Sequence, residues 1–269
     1  MPQLSVGILA CNNEAIIGDC LRSVAWADDI FVVLDTRSSD HTAAVARAFG
    51  ARVVPHTFEN FAAQREFGLS LAKGEWLFYV DSDERATPRV EKEVRRVIED
   101  EDANGWWIPR RNVIWGKEIR HGGWYPDYQL RLLKVAYAHY DPKREVHEIV
   151  DLEGEADYLQ NPLIHYNYRT FAEFARKQRQ YVPYAAHIRY KEGKCPKLWT
   201  YISHPLREFW CRYVTLKGYK DGFWGLILCS LVAYCYGFLV TVQLGRLWCE
   251  QRAEKSNDGQ HVRDDREDV

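Results

Sequence analysis

The sequence lacks the cysteine spacing of a zinc site or a disulfide framework. Its seven cysteines are scattered over 269 residues, and no pair of them is spaced as Cys-x-x-Cys. An odd number of scattered cysteines argues against a disulfide framework and is typical of a reducing compartment. We therefore expect free thiols and a cytoplasmic environment.

The chain also has little excess charge, and no basic segment precedes its first apolar run. It contains 36 lysines and arginines against 38 aspartates and glutamates, which leaves a formal net charge of −2. Without a basic excess there is no long-range attraction for a polyanion, so we expect no nucleic-acid partner. An apolar run begins at Leu4 with no basic segment before it, so we expect no signal peptide. The length allows one large α/β domain with a C-terminal extension.

Three carboxylates follow an apolar run in the first third of the chain. Trp76–Val80 has the composition of a buried strand, and Asp81, Asp83 and Glu84 come directly after it. Carboxylates this close repel each other unless a cation lies between them, and oxygen ligands favour Mg²⁺ or Mn²⁺. Strand ends in open α/β sheets commonly bind ligands, so we predict a metal that carries a diphosphate. A solvated acidic turn is the alternative.

Strand and helix patterns alternate before this point. Apolar runs at Leu4–Ala10, Ile30–Leu34, Arg52–Val54 and Trp76–Val80 are separated by helical patterns at Glu14–Val24, Ser38–Phe49 and Phe61–Ala72. This order predicts a parallel sheet covered by helices. Right-handed crossovers bring the strand ends to one edge. Five polar residues are expected to converge there: Asn12, Glu14, Asp35, Asp81 and Asp83.

Four segments of this region together resemble the family 2 glycosyltransferases, which have the GT-A fold. They are Leu4-Ser-Val-Gly-Ile-Leu-Ala-Cys-Asn-Asn-Glu14, Ile30-Phe-Val-Val-Leu-Asp-Thr-Arg-Ser-Ser-Asp-His-Thr42, Gln64-Arg65 and Gly74-Glu-Trp-Leu-Phe-Tyr-Val-Asp-Ser-Asp-Glu84. The segments His121–Leu132, Val146–Glu148 and Leu163–Tyr166 resemble one branch, the lipopolysaccharide-core glucosyltransferase-like proteins. The resemblance extends from about residue 3 to residue 245.

This resemblance implies an α/β, GT-A (Rossmann-like) fold for a nucleotide-diphospho-sugar transferase with a helical, membrane-associated C-terminal extension. It implies a metal-dependent, inverting hexosyltransferase of cell-envelope glycan synthesis. The donor would be a nucleotide-diphospho-sugar, most simply a UDP-sugar, and the acceptor a saccharide or a lipid-linked glycan. The sequence departs from the family at two positions where the base and ribose bind. After the first strand the family usually has an aromatic or basic residue followed by Asn-Glu, whereas this chain has Cys11-Asn12-Asn13 before Glu14. In the loop after Asp35, Arg37 stands where the family has a small residue.

Roles for individual residues follow from the same resemblance. Asp83 is the more direct metal ligand, with Asp81 beside it as a metal and ribose-phosphate ligand. Asp35 would accept a hydrogen bond from a uracil-like imide N–H, and Arg65 would pair with the diphosphate. Asn12 and Glu14 are assigned to the nucleotide site because they follow a strand that is predicted to end at the same edge of the sheet.

Asp127, in Trp124-Tyr-Pro-Asp-Tyr, is the expected general base. Aromatic surroundings would raise the pKa of this carboxyl by desolvation, and the family places its base in this region. Glu148 is the competing candidate. Arg131 would bind a phosphate of the donor or acceptor. His147 would add a metal ligand, and His165 is a further candidate for that role.

The longest uncharged segment is Phe223–Leu244, whose 22 residues are enough to span a bilayer. The 45 residues from Arg176 to Lys220 hold eleven Lys and Arg against two Glu, interleaved with aromatic residues. This pattern predicts contact through residues 176–248 with the cytoplasmic face of a membrane. A buried hairpin is the alternative, and spanning or lying in the interface stays open.

We expect a catalytic domain at 1–170, a basic, aromatic, membrane-associated helical region at 171–249 and a disordered charged tail at 250–269. A polyprenyl-phosphate glycosyltransferase is one alternative, and a non-catalytic membrane-surface scaffold is another. A sugar nucleotidyltransferase is disfavoured, because Asn12-Asn13-Glu14 stands where those enzymes have a glycine-rich phosphate loop.

Overall fold

The structure is a computed structural model that describes residues 3–100, 102–142 and 150–264, the side chains of 253–264 excepted. It divides into two compact units. Unit 1 comprises Met1–Val113 and Tyr125–Asn167, and unit 2 comprises Ile114–Trp124 and Tyr168–Val269.

The strands and helices before residue 170 are short. In chain order they are β1 (Leu4–Ala10), α1 (Ile17–Ser23), β2 (Asp29–Asp35), α2 (Thr42–Ala48), β3 (Arg52–His56), α3 (Phe61–Leu71), β4 (Trp76–Tyr79), β5 (Glu84–Arg85), α4 (Pro88–Asp100), β6 (Gly105–Ile114), β7 (Lys117–Ile119), β8 (Asp127–Lys134), β9 (Ala138–His139), β10 (Asp151–Leu152), β11 (Ala156–Tyr158) and β12 (Leu163–Tyr168).

The main sheet has the strand order β3-β2-β1-β4-β8-β6-β12-β5, with β11 paired to β6. Strand β1 pairs in parallel with β2 and β4, and β2 pairs in parallel with β3. These pairs confirm the predicted parallel sheet. Strand β8 is antiparallel to both β4 and β6. The part of the sheet beyond β4 is therefore mixed, which the hydrophobic periodicity of the sequence did not indicate.

Both faces of the central strands are buried. On β1, Leu4, Val6 and Ile8 belong to one apolar cluster with α1 and α4, and each is fully buried. Gly7 faces the opposite side, where a Cβ atom would lie 2.8 Å from the ring of Phe31. Burial on both faces explains why these strands read as continuous apolar runs, which is typical of parallel sheets covered by helices.

Unit 2 is helical. Its helices are α5 (Phe171–Lys191), α6 (Thr200–Trp210), α7 (Gly222–Val232) and α8 (Val240–Asp264), and a π-helical segment at Ala233–Leu239 joins α7 to α8. The core of the unit contains Phe174, Val182 and Ala186 of α5 with Leu228 and Val240. Helix α8 continues to Asp264, through most of the segment for which the sequence predicted a disordered tail.

Helix Gly218–Arg252 includes α7 and much of α8. Among the described residues it is the helix that is long and apolar enough, by length and composition alone, to cross a membrane. Half of its most apolar stretch is buried inside the protein. Length and composition therefore leave its environment open.

Candidate active site

The loops after β1, β2 and β4 start from the same edge of the sheet in unit 1. The parallel register pairs Ala10 with Leu34 and Gly7 with Tyr79, so the carboxyl ends of the three strands lie side by side. Asp35 ends β2, and Asp81 follows β4 by two residues. Ligands of open α/β sheets bind at this edge.

The side chains of Asn12 and Glu14 hold two of these loops together. Asn12 Oδ1 accepts a hydrogen bond from the Ser39 amide at 2.9 Å, and Glu14 Oε2 accepts one from the His41 amide at 2.9 Å. The neighbouring Asn13 lines a cavity at the sheet edge. The loop after β1 therefore positions the loop after β2, and any contact of Asn12 or Glu14 with a nucleotide stays a prediction.

The cavity beside Asp35 has a volume of about 400 Å³ and is mainly apolar. It is lined by Leu9, Ala10, Cys11, Asn13, Asp35, Arg37, Phe58, Phe61 and Gln64. Arg37 Nη2 lies 2.6 Å from Asp35 Oδ2, and Arg37 Nε lies 3.1 Å and 3.0 Å from the two carboxylate oxygens. The Arg37 guanidinium also lies 5.1 Å from the centre of the Phe58 ring.

The Asp35–Arg37 pair has one buried and one exposed member. The side chain of Asp35 is 5% exposed, whereas that of Arg37 is 64% exposed. Hydrogen bonds from Arg37 hold the pKa of Asp35 below its usual value, although burial acts in the opposite direction. An exposed arginine can turn towards water at small cost, so this pair can open for a ligand.

Asp81 lies between two buried arginines. Its Oδ1 is 3.2 Å from Arg65 Nη2 and its Oδ2 is 2.5 Å from Arg131 Nη2, and the two arginine side chains are 4% and 6% exposed. Burial alone would raise the pKa of Asp81, but Arg131, Arg65 and Arg110 outweigh it and hold the pKa well below its usual value. Asp81 is therefore ionised and already neutralised by protein cations.

Glu84 is a buried neighbour of Asp81. Its side chain is fully buried, and its Oε2 accepts a hydrogen bond from the Asp81 amide at 2.9 Å. Burial, and after it the charge of Asp81, raises the pKa of Glu84. This contact holds the turn after β4 in place.

Arg110 connects Glu84 to Asp127, the predicted general base. Arg110 Nη1 lies 3.4 Å from Glu84 Oε1, and Arg110 Nη2 lies 2.6 Å from Asp127 Oδ2. Gln129 Nε2 donates to the other oxygen of Asp127 at 3.0 Å. Asp127 is 28% exposed and begins β8, so its carboxylate is both held by polar partners and open to solvent.

His165 faces Asp83 with a nitrogen that can bind a metal. His165 Nδ1 lies 2.7 Å from Asn112 Oδ1. Since an amide oxygen only accepts hydrogen bonds, Nδ1 carries a proton, and in the neutral ring Nε2 keeps its lone pair. His165 Nε2 lies 3.6 Å from Asp83 Oδ2, which is too long for a hydrogen bond.

Asp83 and His165 fit one Mg²⁺ or Mn²⁺ ion. Metal–oxygen bonds of about 2.1 Å allow two atoms at this separation to reach the same ion. A metal-binding histidine usually donates its other N–H to an oxygen acceptor, as His165 does to Asn112. Within the described ranges no group of three or more His, Cys, Asp and Glu side chains could hold a metal. Magnesium sites often complete their coordination with substrate phosphates and water.

The other predicted site residues have different positions. Glu148 and His147 lie outside the described residues. Arg65 and Arg131, predicted to bind phosphates, direct their guanidinium groups to Asp81. Arg110 and Asn112 were not predicted as site residues from the sequence. Both lie in β6 with Arg111 between them, and residues two positions apart in a strand lie on the same face, which was the available signal.

These features define a class of protein. A parallel sheet continued by antiparallel strands, with an acidic turn after the fourth strand, is the GT-A fold of nucleotide-sugar transferases. The chain belongs to glycosyl transferase family 2, whose sequence model matches residues 5–150.

Individual relatives cover different parts of the chain. The lipopolysaccharide core biosynthesis glycosyltransferase LpsC of Rhizobium meliloti is 25% identical over 252 residues, which are 90% of this chain and 91% of that protein. An uncharacterized glycosyltransferase of Rickettsia typhi is 28% identical over 98 residues, 36% of this chain and 34% of its own. This chain thus spans only about a third of the Rickettsia protein.

Two solved structures align with this chain over less than half of their own lengths. Glucosyl-3-phosphoglycerate synthase from Mycobacterium tuberculosis, in complex with Mn²⁺, UDP-glucose and phosphoglyceric acid, is 23% identical with a TM-score of 0.37, over 41% of this chain and 44% of that one. TarS from S. aureus is 14% identical with a TM-score of 0.45, over 82% of this chain and 46% of that one.

Proposed function

We propose that this protein is an inverting glycosyltransferase of cell-envelope glycan synthesis. It transfers a sugar from a nucleotide-diphospho-sugar to a saccharide or lipid-linked acceptor at the cytoplasmic face of the membrane. Family membership and the similarity to LpsC along nearly the whole chain support this class of reaction. The observation that carries the proposal is the Asp83–His165 pair, with Asn112 orienting the histidine.

The nucleoside of the donor occupies the cavity beside Asp35. Apolar and aromatic walls suit a planar base, and a volume of about 400 Å³ is of the size of known small-molecule sites. Asp35 accepts a hydrogen bond from the imide N–H of a uracil base after Arg37 turns aside. Since the Arg37 guanidinium lies over the Phe58 ring, turning Arg37 aside also frees a face of that ring for the base.

The diphosphate lies near Asp83 and His165, which would hold Mg²⁺ or Mn²⁺. When bound, the ion neutralises the charge that develops on the leaving diphosphate. Asp81 contributes differently, because Arg65 and Arg131 already compensate its charge. It fixes the turn from which Asp83 projects and keeps the two guanidinium groups at the edge of the site.

The transfer itself requires a base for the acceptor hydroxyl. In a single displacement the hydroxyl oxygen attacks the anomeric carbon while the bond to the diphosphate breaks, so the configuration inverts. Asp127 takes the hydroxyl proton, because its carboxylate is oriented by Arg110 and Gln129 and is open to solvent. Glu148 remains the competing residue for this role.

The test is the binding of uridine diphosphate by titration calorimetry, with Mn²⁺ and with chelator. We expect Mn²⁺ to strengthen binding by wild-type protein, and we expect Asp83→Asn to abolish that gain together with sugar transfer. His165→Gln should lose a large part of the gain, because a neutral amide is a weaker ligand than imidazole.

Asp19→Asn is the matched control, because Asp19 is 63% exposed and its carboxylate is paired with Arg22 on the same helix. This variant should behave as wild type. Binding of uridine diphosphate that is indifferent to Mn²⁺ in every variant would contradict the metal site, and near wild-type transfer by Asp83→Asn would contradict the mechanism.

A further inference from the structure

Helix α6 of unit 2 exposes an apolar stripe. Trp199, Ile202, Leu206 and Trp210 are 62%, 68%, 63% and 64% exposed. Spacings of three and four residues place all four on one face of the helix. Exposed large apolar side chains in a continuous row on a helix mark a surface that contacts a partner or a lipid phase.

An apolar groove adjoins this stripe. It has a volume of about 420 Å³ and is lined by Pro205, Leu206, Phe209, Ser230, Ala233, Tyr234 and Phe238. Leu206 belongs to both the stripe and the groove. On the other wall, Tyr234 is 52% exposed and Phe238 is 37% exposed. The stripe and the groove therefore form one continuous apolar surface across two helices.

The long helix Gly218–Arg252 has an opposite, buried face. Leu228, Val240 and Leu244 are at most 3% exposed and belong to one core cluster with residues of α5. On its other flank, the Gly237 backbone packs so closely on Pro205 of α6 that a Cβ atom would lie 2.4 Å from Pro205 Cα. The helix is therefore enclosed by protein along one side.

The charges of α5 bear on whether this helix crosses a bilayer. Helix α5 carries Arg176, Lys177, Arg179, Arg189 and Lys191 along its 21 residues. A long helix that spanned the hydrocarbon while packed on α5 would bring these charges into or beside the membrane interior, which is strongly unfavourable. The packing of unit 2 thus favours a helix that stays within the protein.

The ends and flanks of the stripe suit a membrane surface. Tryptophan lies at both ends of the stripe, and its indole ring favours the headgroup region. Lys197 precedes α6, Arg207 lies within it and Lys217 follows it, and all three are exposed, whereas Glu208 accepts a hydrogen bond from Arg212 at 2.7 Å. The surface around the stripe is therefore basic, which complements the anionic lipids of a cytoplasmic leaflet.

We propose that α6 lies in the plane of an anionic membrane, with its apolar stripe below the headgroups and an acyl chain in the adjacent groove. Helix Gly218–Arg252 packs against α5 and α6 and does not cross the bilayer. The inference rests on the membrane location proposed above and adds the surface and the mode of contact. It does not depend on which sugar is transferred.

The experiment uses the full chain and vesicles of phosphatidylglycerol and phosphatidylethanolamine, with phosphatidylcholine vesicles as the neutral reference. We expect wild-type protein to float with the anionic vesicles and alkaline carbonate to release it. Ile202→Gln with Leu206→Gln should weaken partitioning at least tenfold, since both side chains leave the lipid. Brominated lipids should quench Trp fluorescence, and Trp199→Phe with Trp210→Phe should remove most of that quenching.

Two further variants make the outcome decisive. Phe49→Gln with Tyr137→Gln removes two aromatic side chains that are each 40% exposed in unit 1, and it should leave partitioning unchanged. Lys197→Gln with Arg207→Gln should weaken binding to anionic vesicles and reduce its dependence on salt. Circular dichroism of each variant checks that the exposed substitutions leave the fold intact.

Two results would overturn the inference in different ways. Carbonate-resistant binding that the Ile202 and Leu206 substitutions do not change would show that Gly218–Arg252 spans the bilayer. A wild-type chain that binds no vesicle would remove the membrane location as well. Sugar transfer to a soluble acceptor, measured separately, would be unaffected by either result.

Discussion

The cavity beside Asp35 and the cluster around Asp81 both contain a carboxylate paired with arginine, but the arginines differ. Asp35 is paired with Arg37, which is two residues away and 64% exposed. Asp81 is paired with Arg65 and Arg131, which come from α3 and β8 and are 4% and 6% exposed. The first pair is local and open to water, and the second connects distant elements inside the protein.

This difference separates charges that a ligand can reach from charges that hold the fold together. An exposed ion pair contributes little to stability and exchanges its partner easily. A buried pair cannot lose one member without leaving the other uncompensated in a poorly solvated place. We infer that Asp35 exchanges its partner when a nucleotide binds, whereas Asp81 keeps its arginines throughout. The side chain of Asp127 is 28% exposed, more than that of Asp35, and it is held by Arg110, which is 15% exposed.

We expect the largest effect at Asp127, whose carboxylate a ligand can reach from solvent. Asp127→Asn should lower transfer by about 10²–10⁴-fold, the usual contribution of a general base, while donor binding stays unchanged. The amide keeps the size of the carboxylate and its contact with Gln129 but cannot take a proton. Initial rates of nucleoside diphosphate release and separate donor titrations measure the two quantities.

The control for this prediction is Asp157→Asn, which changes an exposed carboxylate in β11. It should leave the rate unchanged. Near wild-type transfer by Asp127→Asn would assign the base to another residue, and Glu148→Gln should then show the large loss.

The second effect concerns stability. Asp81→Asn should lower the free energy of unfolding by about 3 kcal/mol, because two buried guanidinium groups lose their counter-ion. Asp35→Asn should cost about 1 kcal/mol or less, because Arg37 turns to solvent. Urea denaturation of both variants at neutral pH compares them directly, and equal losses would break the distinction between the two pairs.

The pH dependence of stability provides an independent check of the ion pair between Asp81 and its arginines. The pKa of Asp81 is held well below its usual value of 3.8, so its stabilisation is present above pH 3.8 and is lost as pH falls further. The Asp81→Asn variant lacks this contribution. The difference in unfolding free energy between wild type and variant should therefore shrink as pH falls below about 4, and a constant difference would contradict the ion pair.

The smallest effect is expected at the exposed pair. Arg37→Ala frees Asp35 from a competing guanidinium, so uridine diphosphate should bind up to about fivefold more tightly, since an exposed ion pair is weak. Adenosine diphosphate, which has no imide N–H, should gain nothing. Weaker binding of uridine diphosphate by this variant would show instead that Arg37 contacts the base.

Local patterns predicted the first half of the fold well. The strand at Leu4–Ala10 has the predicted bounds, and the others differ by one or two residues. Alternating strands and helices leave one simple arrangement, because right-handed crossovers place all strand ends on one edge. The acidic turn at Asp81–Glu84 could be placed at that edge for the same reason. These inferences use only neighbours in sequence.

The partners of the site residues depended on tertiary structure. Arg131 meets Asp81 across 50 positions of the chain, and His165 meets Asn112 across 53. The register between β4 and β8 and the order of strands beyond β8 decide such contacts, and neither is encoded in local periodicity. For the same reason the sequence did not indicate that Asn12 and Glu14 would hold a neighbouring loop.

In unit 2, too, tertiary packing decides what the sequence left open. The sequence by itself determined that Phe223–Leu244 is uncharged and long enough to span a bilayer, and that basic and aromatic residues precede it. Only the packing of α5 and α6 on that helix decided which of its faces is buried and which apolar side chains remain exposed. Composition records how much apolar surface a chain has, whereas burial depends on which helices meet, and that is a property of the whole fold.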